Sequence, residues 1–190
     1  YGTGAVYALP FVGNCQMFFF RKDALAELGL PPLKKWPQVL EYGKKLMSAS
    51  KVPFGYVIRG EKGNPIVVES MPIFWAFGAR MFEGKKVTID SPQALKALKF
   101  LIALKSVSPP GVENFNADQV ANHMLQGSAA MTISWPAWVP TMEDPSQSKV
   151  AGKMGYAPMP GADQPGASVI GNWLLAIPKN SERKELAFEF

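Results

Sequence analysis

Short apolar runs that read as strands alternate along this chain with amphipathic stretches that read as helices, and that alternation constrains the fold more than anything else. The opening YALPFVGNCQMFFFRKD is extended: Val6, Leu9, Phe11, Met17 and Phe19 suit strands, while Pro10 and Gly13 oppose a helix. Asp23 is placed to cap a short helix through Leu28 that Gly29 closes. After Pro31-Pro32 a second helix carries Pro37 in its first turn and Val39, Leu40, Gly43, Leu46 and Met47 on one face. Residues 54–58 read as a buried strand, and residues 66–78 as a helix that Pro72 should end or kink.

The second half repeats the pattern. Residues 80–83 and 87–90 frame Gly84-Lys85-Lys86 as a small hairpin. Ser91-Pro92 opens a helix with Leu95, Leu98, Leu101 and Ile102 along one face, and Asn116 with Gln119 forms a capping box for another that Gly127 ends. Residues 129–134, 154–157 and 168–177 read as strands, and Ser181 as the cap of a last helix still in progress at Phe190. The expected fold class is α/β, with mixed open sheets flanked by helices. Segments 7–14 and 168–177 are expected to run side by side. The unfinished amphipathic helix raises the expectation that the sequence is part of a longer protein.

Composition removes several function classes. With 47% hydrophobic and 18% charged residues, a sizeable core is available. No apolar run approaches the ~20 residues of a membrane helix, and no leader peptide is recognisable, so any secretion signal would lie outside this sequence. Twenty Lys and Arg against fifteen Asp and Glu give a net charge of +5. The cations come as doublets such as Lys34-Lys35 and Lys85-Lys86, separated by acidic and apolar residues, which suits a solvated surface better than a nucleic-acid face. Cys15 and His123 are each alone, which excludes an internal disulfide, a thiolate zinc cage and a two-histidine metal site. His123 lies in a short helical stretch and reads as a structural residue.

No local spacing specifies the two carboxyl groups a glycosidase needs, and the segment Gly60 to Asn64 lacks the glycine spacing of a phosphate loop. Aromatic residues carry more. Trp135, Trp138 and Trp173 fall at strand ends, where open α/β sheets place ligands. A pyranose offers C–H faces to flat rings and hydroxyls to amides and carboxylates. Asn14, Gln16, Asn172 and Glu69 are the candidate polar partners, Glu69 because it stands in an apolar helix. Trp36 and Trp75, inside helical patterns, read as core. Gly171-Asn172 reads as a flexible point.

Four segments, in order, resemble one known family: YALPFVGNCQMFFFRKDALAELGL with the following Trp36-Pro37 helix start, NFNADQVANHMLQGSAAMTISWPAW, MGYAPMPG and GNWLLAIPKNSERKELAFEF. These are similar to family 1 extracellular solute-binding proteins of ABC transporters, the maltose-binding type. The resemblance implies a type II periplasmic-binding-protein fold, with two α/β lobes joined by crossing strands and the ligand between them. It assigns residues 1–14 to the end of the first lobe and a crossing strand, 15–158 to the second lobe, and 159–190 to the return crossing and part of the first lobe. It places Asn14, Trp135, Trp138, Asn172 and Trp173 at the cleft. Here Ser134-Trp135-Pro136-Ala137-Trp138 stands where many relatives have a Gly-Pro-Trp order, which leaves open which ring faces the ligand.

The function implied is sugar uptake without catalysis: a sugar ligand, ABC permease subunits as partners, no nucleic acid and no cofactor. The location implied is periplasmic or extracellular, with a lipid anchor through a segment outside this sequence as one option. Two alternatives stay open: a carbohydrate-active enzyme using Glu69 with another acid, and a binder of a phosphorylated polyol such as glycerol phosphate.

Overall fold

A computed structural model describes Gly4 and residues 6–190; residues 1–3 and 5, within the segment 1–14 assigned above, lie outside the described residues. The centre of the molecule is a three-stranded sheet in the order β5–β2–β6, with β2 at Met17–Arg21, β5 at Met131–Ser134 and β6 at Met154–Ala157. β2 is antiparallel to both neighbours, Met17 facing Ser134 on one side and Phe18 facing Ala157 on the other. Outside β5 runs the buried segment 54–58. It is extended but not a regular strand: Phe54 bridges Ala129 in parallel and the Val57 N–H reaches the Met131 carbonyl, while the Gly55 and Tyr56 N–H groups turn away to the Val107 carbonyl. The competing acceptor explains why the expected strand is incomplete.

Adjacent β2 side chains point to opposite faces, and both faces are covered. Phe18 meets Trp36 edge to face, on helix α2 (Trp36–Ser48). Arg21, on the other face, reaches the Gly127 carbonyl just beyond helix α5 (Ala117–Leu125). Trp36 is the hub of an aromatic cluster with Phe18, Tyr56 and Phe100 and is fully buried, as expected. Gly43 and Gly55 let α2 approach the 54–58 segment backbone to backbone: a Cβ on Gly55 would lie 2.3 Å from the Gly43 Cα.

Several local signals act as read. The hairpin is present as β3 (Phe82–Glu83) and β4 (Lys86–Val87), with Gly84 at φ +58° in the turn. Ser91 caps helix α4 (Pro92–Leu104) by accepting from the Ala94 N–H, and Asn116 and Gln119 form their reciprocal box on α5. Helix α3 (Asn64–Ala76) does not end at Pro72, because proline's φ is helical and its buried ring offsets the missing hydrogen bond.

Other readings need correction. Helix α1 (Lys22–Glu27) starts at Arg21, and Asp23, in its first turn, pairs with the Arg21 guanidinium instead of capping. Leu95, Leu98 and Ile102 of α4 are exposed and Leu101 is half-buried against the core; the fully buried positions are Ala94, Ala97 and Leu104, one helical stripe with Leu101. Ser181 accepts a bond from the Arg183 N–H, but helix α7 begins only at Lys184 and runs to Glu189.

The segments expected side by side do pair. β1 (Leu9–Val12) lies antiparallel to β7 (Trp173–Leu175), with Leu9 opposite Leu175 and Val12 opposite Trp173. The regular part of β7 is much shorter than residues 168–177; upstream of it the contact continues as a single bridge between Cys15 and Ile170.

Candidate functional site

β5 and β2 are antiparallel, so the carboxyl end of β5 adjoins the start of β2. The segment 54–58, parallel to β5, delivers its last residues to the same edge. Three chain ends therefore converge there: Ser134-Trp135, Gln16-Met17 and Ile58-Arg59. This is the edge at which open α/β sheets offer a crevice.

Trp135 follows β5 directly, and Pro136–Trp138 form a 3-10 turn that leads into α6 (Val139–Glu143). Proline at the first position of that turn fixes its φ, so the chain reverses at once and holds both indoles at the sheet edge. Trp135 and Trp138 are half-buried. The Trp135 ring lies on the backbone of Gly171: a Cβ there would stand 2.8 Å from Cη2 and 2.9 Å from Cζ3 of the indole. Gly171 thus serves close approach rather than the flexibility the sequence suggests. Asn14 is beside it, its carbonyl accepting from the Gly171 N–H and its own N–H donating to Asn172 Oδ1 at 2.8 Å. The Asn172 side-chain oxygen is thereby committed to the backbone. Trp173 is 68% exposed on β7 and does not line the cavity described next.

Beneath Trp135 lies a buried polar group. Glu69, on the inward face of α3, is completely buried; its Oε1 accepts from Arg59 Nε at 2.7 Å and, at a long 3.4 Å, from Gln16 Nε2. Next to Arg59, Gly60 packs so tightly that a Cβ would lie 2.3 Å from the Val112 carbonyl oxygen. The second oxygen of Glu69, the Nη2 of Arg59, the Oε1 of Gln16 and the hydroxyl of Tyr56 are buried without a hydrogen-bond partner among the described residues. Such atoms are uncommon in folded proteins and call for a ligand or water. A cavity of about 20 Å³ adjoins this group, lined by Arg59, Glu69, Ser134, Trp135, Trp138 and Met142 among others. That is room for about one water or one hydroxyl. A wider depression of about 680 Å³ beside α7 is open, and its lining residues lie on exposed segments.

Burial pushes the Glu69 carboxyl up to about 7 against the opposing pull of Arg59 and Gln16. Burial, and then the Glu69 charge, raises the Tyr56 hydroxyl well above its ordinary value, so it stays protonated. The site combines two half-buried indoles with unmet acceptors on Glu69 and Gln16 and unmet polar hydrogens on Arg59 and Tyr56. Glu69 is the one carboxylate among the residues lining the cavity.

Of the residues singled out from sequence, Gln16, Glu69, Trp135 and Trp138 come together with Asn14 at their margin; Asn172 joins through Asn14, and Trp173 stands apart. Arg59 was missed. Its signal was present: a cation ending a buried apolar run and an acid inside an apolar helix each need a partner. His123 is structural, stacked on Phe115, with Nδ1 2.8 Å from the Ser128 hydroxyl.

Comparison with known proteins agrees with this architecture. The model of the bacterial extracellular solute-binding protein family matches residues 1–190. A "probable amino-acid ABC transporter periplasmic-binding protein" of Sinorhizobium fredii is 31% identical over 94% of this chain and 41% of its own length. The mannitol-binding protein of Pseudomonas aeruginosa is 31% identical over 98% of this chain and 44% of its own. The chain thus spans less than half the length of these relatives. Among solved structures, the maltose-bound MalE3 of T. maritima superposes with a TM-score of 0.90 at 28% identity, covering 97% of this chain and 49% of that one. The fold, the order of its elements and the match along the whole sequence agree: this chain belongs to the bacterial extracellular solute-binding proteins and has the α/β fold of the type II periplasmic-binding class.

Proposed function

We propose that the protein is the solute-binding component of an ABC transporter and takes up a sugar or sugar alcohol without chemical change. The observation that carries this reading is the pair of half-buried indoles, Trp135 and Trp138, set over the unmet polar atoms of Gln16, Arg59 and Glu69. Flat rings beside unmet donors and acceptors suit a neutral polyhydroxy ligand. The mannitol-binding relative and the maltose-bound structure support the same class. We assign residues 15–158 to one lobe and read β1 and β7 as strands that cross to another, with 159–190 returning toward it. Closure of two such lobes on the ligand would present the closed form to permease subunits outside the membrane, in the periplasm or at the cell surface.

Catalysis is disfavoured because glycoside hydrolysis uses two carboxyl groups across one bond, and Glu69 is already engaged by Arg59. Amino-acid binding is a second reading, favoured by the name of the S. fredii relative. A thermal-shift screen of the full-length protein against D-mannitol, ribitol, maltose, glycerol 3-phosphate and the common amino acids separates these readings. A melting-point rise with a sugar or polyol and no product on long incubation is the expected result. A rise only with amino acids or the phosphate ester would overturn it.

A further inference from the structure

Arg59 and Glu69 meet through one arm each. A planar guanidinium and a carboxylate often close side by side through two parallel bonds. Here Arg59 Nε to Glu69 Oε1, at 2.7 Å, is the single bond between them, while Arg59 Nη2 and Glu69 Oε2 are both buried and unpartnered among the described residues. The pair can be likened to a jaw: its bonded arms are Nε and Oε1, and its unmet arms, Nη2 and Oε2, are buried on two residues that both line the cavity. One unmet arm is a donor and the other an acceptor. Gln16 Oε1, on the residue that also reaches Glu69, adds a second unmet acceptor. The adjoining cavity of about 20 Å³ admits one hydroxyl and excludes a sugar ring, so the body of a ligand must stay outside, against Trp135 and Trp138.

We infer that this jaw is the specificity-determining subsite: one hydroxyl of the ligand enters it, accepts from Arg59 Nη2 and donates to Glu69 Oε2. This rests on the sugar or polyol reading above and deepens it. A hydroxyl is the one common group that both donates and accepts through a single atom. A ligand carboxylate or phosphate would face the unpartnered oxygen of Glu69, and an ammonium would face the guanidinium. The jaw therefore selects a neutral hydroxyl over the charged groups of an amino acid or phosphate ester. A site built to satisfy buried polar atoms with a ligand hydroxyl discriminates strongly against the analogue lacking it, because those atoms are then left unmet.

The test is calorimetric titration of the full-length protein with whichever of D-mannitol, ribitol and maltose binds tightest, followed by its complete set of monodeoxy analogues. One analogue is expected to bind about 100-fold more weakly or worse, the others to lose far less. In Glu69→Gln, or in Arg59→Lys should that variant fail to fold, the penalty for that same analogue should shrink to about tenfold or below. Monodeoxy analogues that all bind within about threefold of the parent would overturn the subsite while leaving the sugar reading intact, as would a penalty undiminished in the variants. Failure of all three parent ligands to bind, with an amino acid binding instead, would overturn both.

Discussion

β1 (LPFV) and β2 (MFFFR) are both short and apolar, yet Phe18 and Phe19 of β2 have no exposed surface while Phe11 of β1 is 68% exposed. β7, with the sequence WLL, is exposed throughout like its partner. Composition does not separate the two regions; layering does. β2 has a strand on each side and helices over both faces, whereas β1 and β7 have each other as strand partners. Apolar character makes a strand, but burial comes from what is stacked upon it. The candidate site sits where these regions join: the Gln16 N–H bonds the Val169 carbonyl, Asn14 is tied to Gly171 and Asn172, and the Trp135 ring lies on Gly171. The indoles follow a strand of the covered sheet and the ion pair lies beside it, while the exposed β1–β7 ribbon borders them.

The comparison can be broken first at its strongest point. Trp36→Ala removes a completely buried ring at the centre of the covered region and should cost about 3–5 kcal/mol of stability in denaturant titrations. Ligand affinity of the folded remainder should be nearly unchanged. A large loss of affinity with intact stability would mean that core and site have been exchanged.

Next comes the buried ion pair. Arg59→Ala strands the Glu69 carboxylate and should cost about 3 kcal/mol near pH 8, less near pH 5, where Glu69 takes up a proton. The wild-type protein carries a related signature. Glu69 titrates near 7 when folded and near 4.5 when unfolded, so across that window the folded state holds the extra proton. Its contribution to stability is therefore greatest at low pH and falls as pH rises from about 4.5 to about 7. Other carboxylates drift the opposite way, so the difference between wild type and Glu69→Gln in melts from pH 4 to 8 isolates it. Arg59, Gln16 and Tyr56 are the polar groups around Glu69, and Tyr56 does not ionise in this range. A difference that is flat or of opposite slope would show that Arg59 holds Glu69 fully ionised.

Trp135→Ala should weaken sugar or polyol binding by about 1–3 kcal/mol, as loss of an aromatic anchor does, while the melting temperature changes little because the ring is only half-buried. At the exposed end of the comparison, Phe11→Ser in this 190-residue chain should alter stability by no more than about 0.5 kcal/mol. A larger loss would show that the β1–β7 ribbon is covered in solution.

How much of this was legible beforehand depends on whether the information is local. The hairpin at Gly84, the Ser91 cap and the Asn116–Gln119 box are set by residues within a few positions of one another, and each could be read. The face of α4 could not. Leu95, Leu98 and Ile102 make an equally apolar stripe, but the helix packs on the adjacent one, Ala94, Ala97, Leu101 and Leu104, and two neighbouring apolar stripes cannot be told apart by periodicity. The burial of segment 54–58 is legible in its apolar run, but its hydrogen bonds to Val107 belong to another part of the chain. The candidate site divides in the same way. Trp135 and Trp138 were visible as rings beyond a strand end, and Glu69 as an acid in the wrong company. Arg59 stands ten residues from Glu69 across a loop, and only the convergence of 54–58 with α3 pairs them. Gly171, read as flexible, is a contact that exists only once β5 and the residues leading into β7 meet.

The most direct measurement is a crystal structure of the full-length protein with the tightest-binding of D-mannitol, ribitol and maltose. The ligand is predicted to lie against Trp135 or Trp138, with one hydroxyl within about 3.2 Å of both Glu69 Oε2 and Arg59 Nη2. A ligand bound elsewhere, or bound against the indoles with no contact to that pair, would contradict the account.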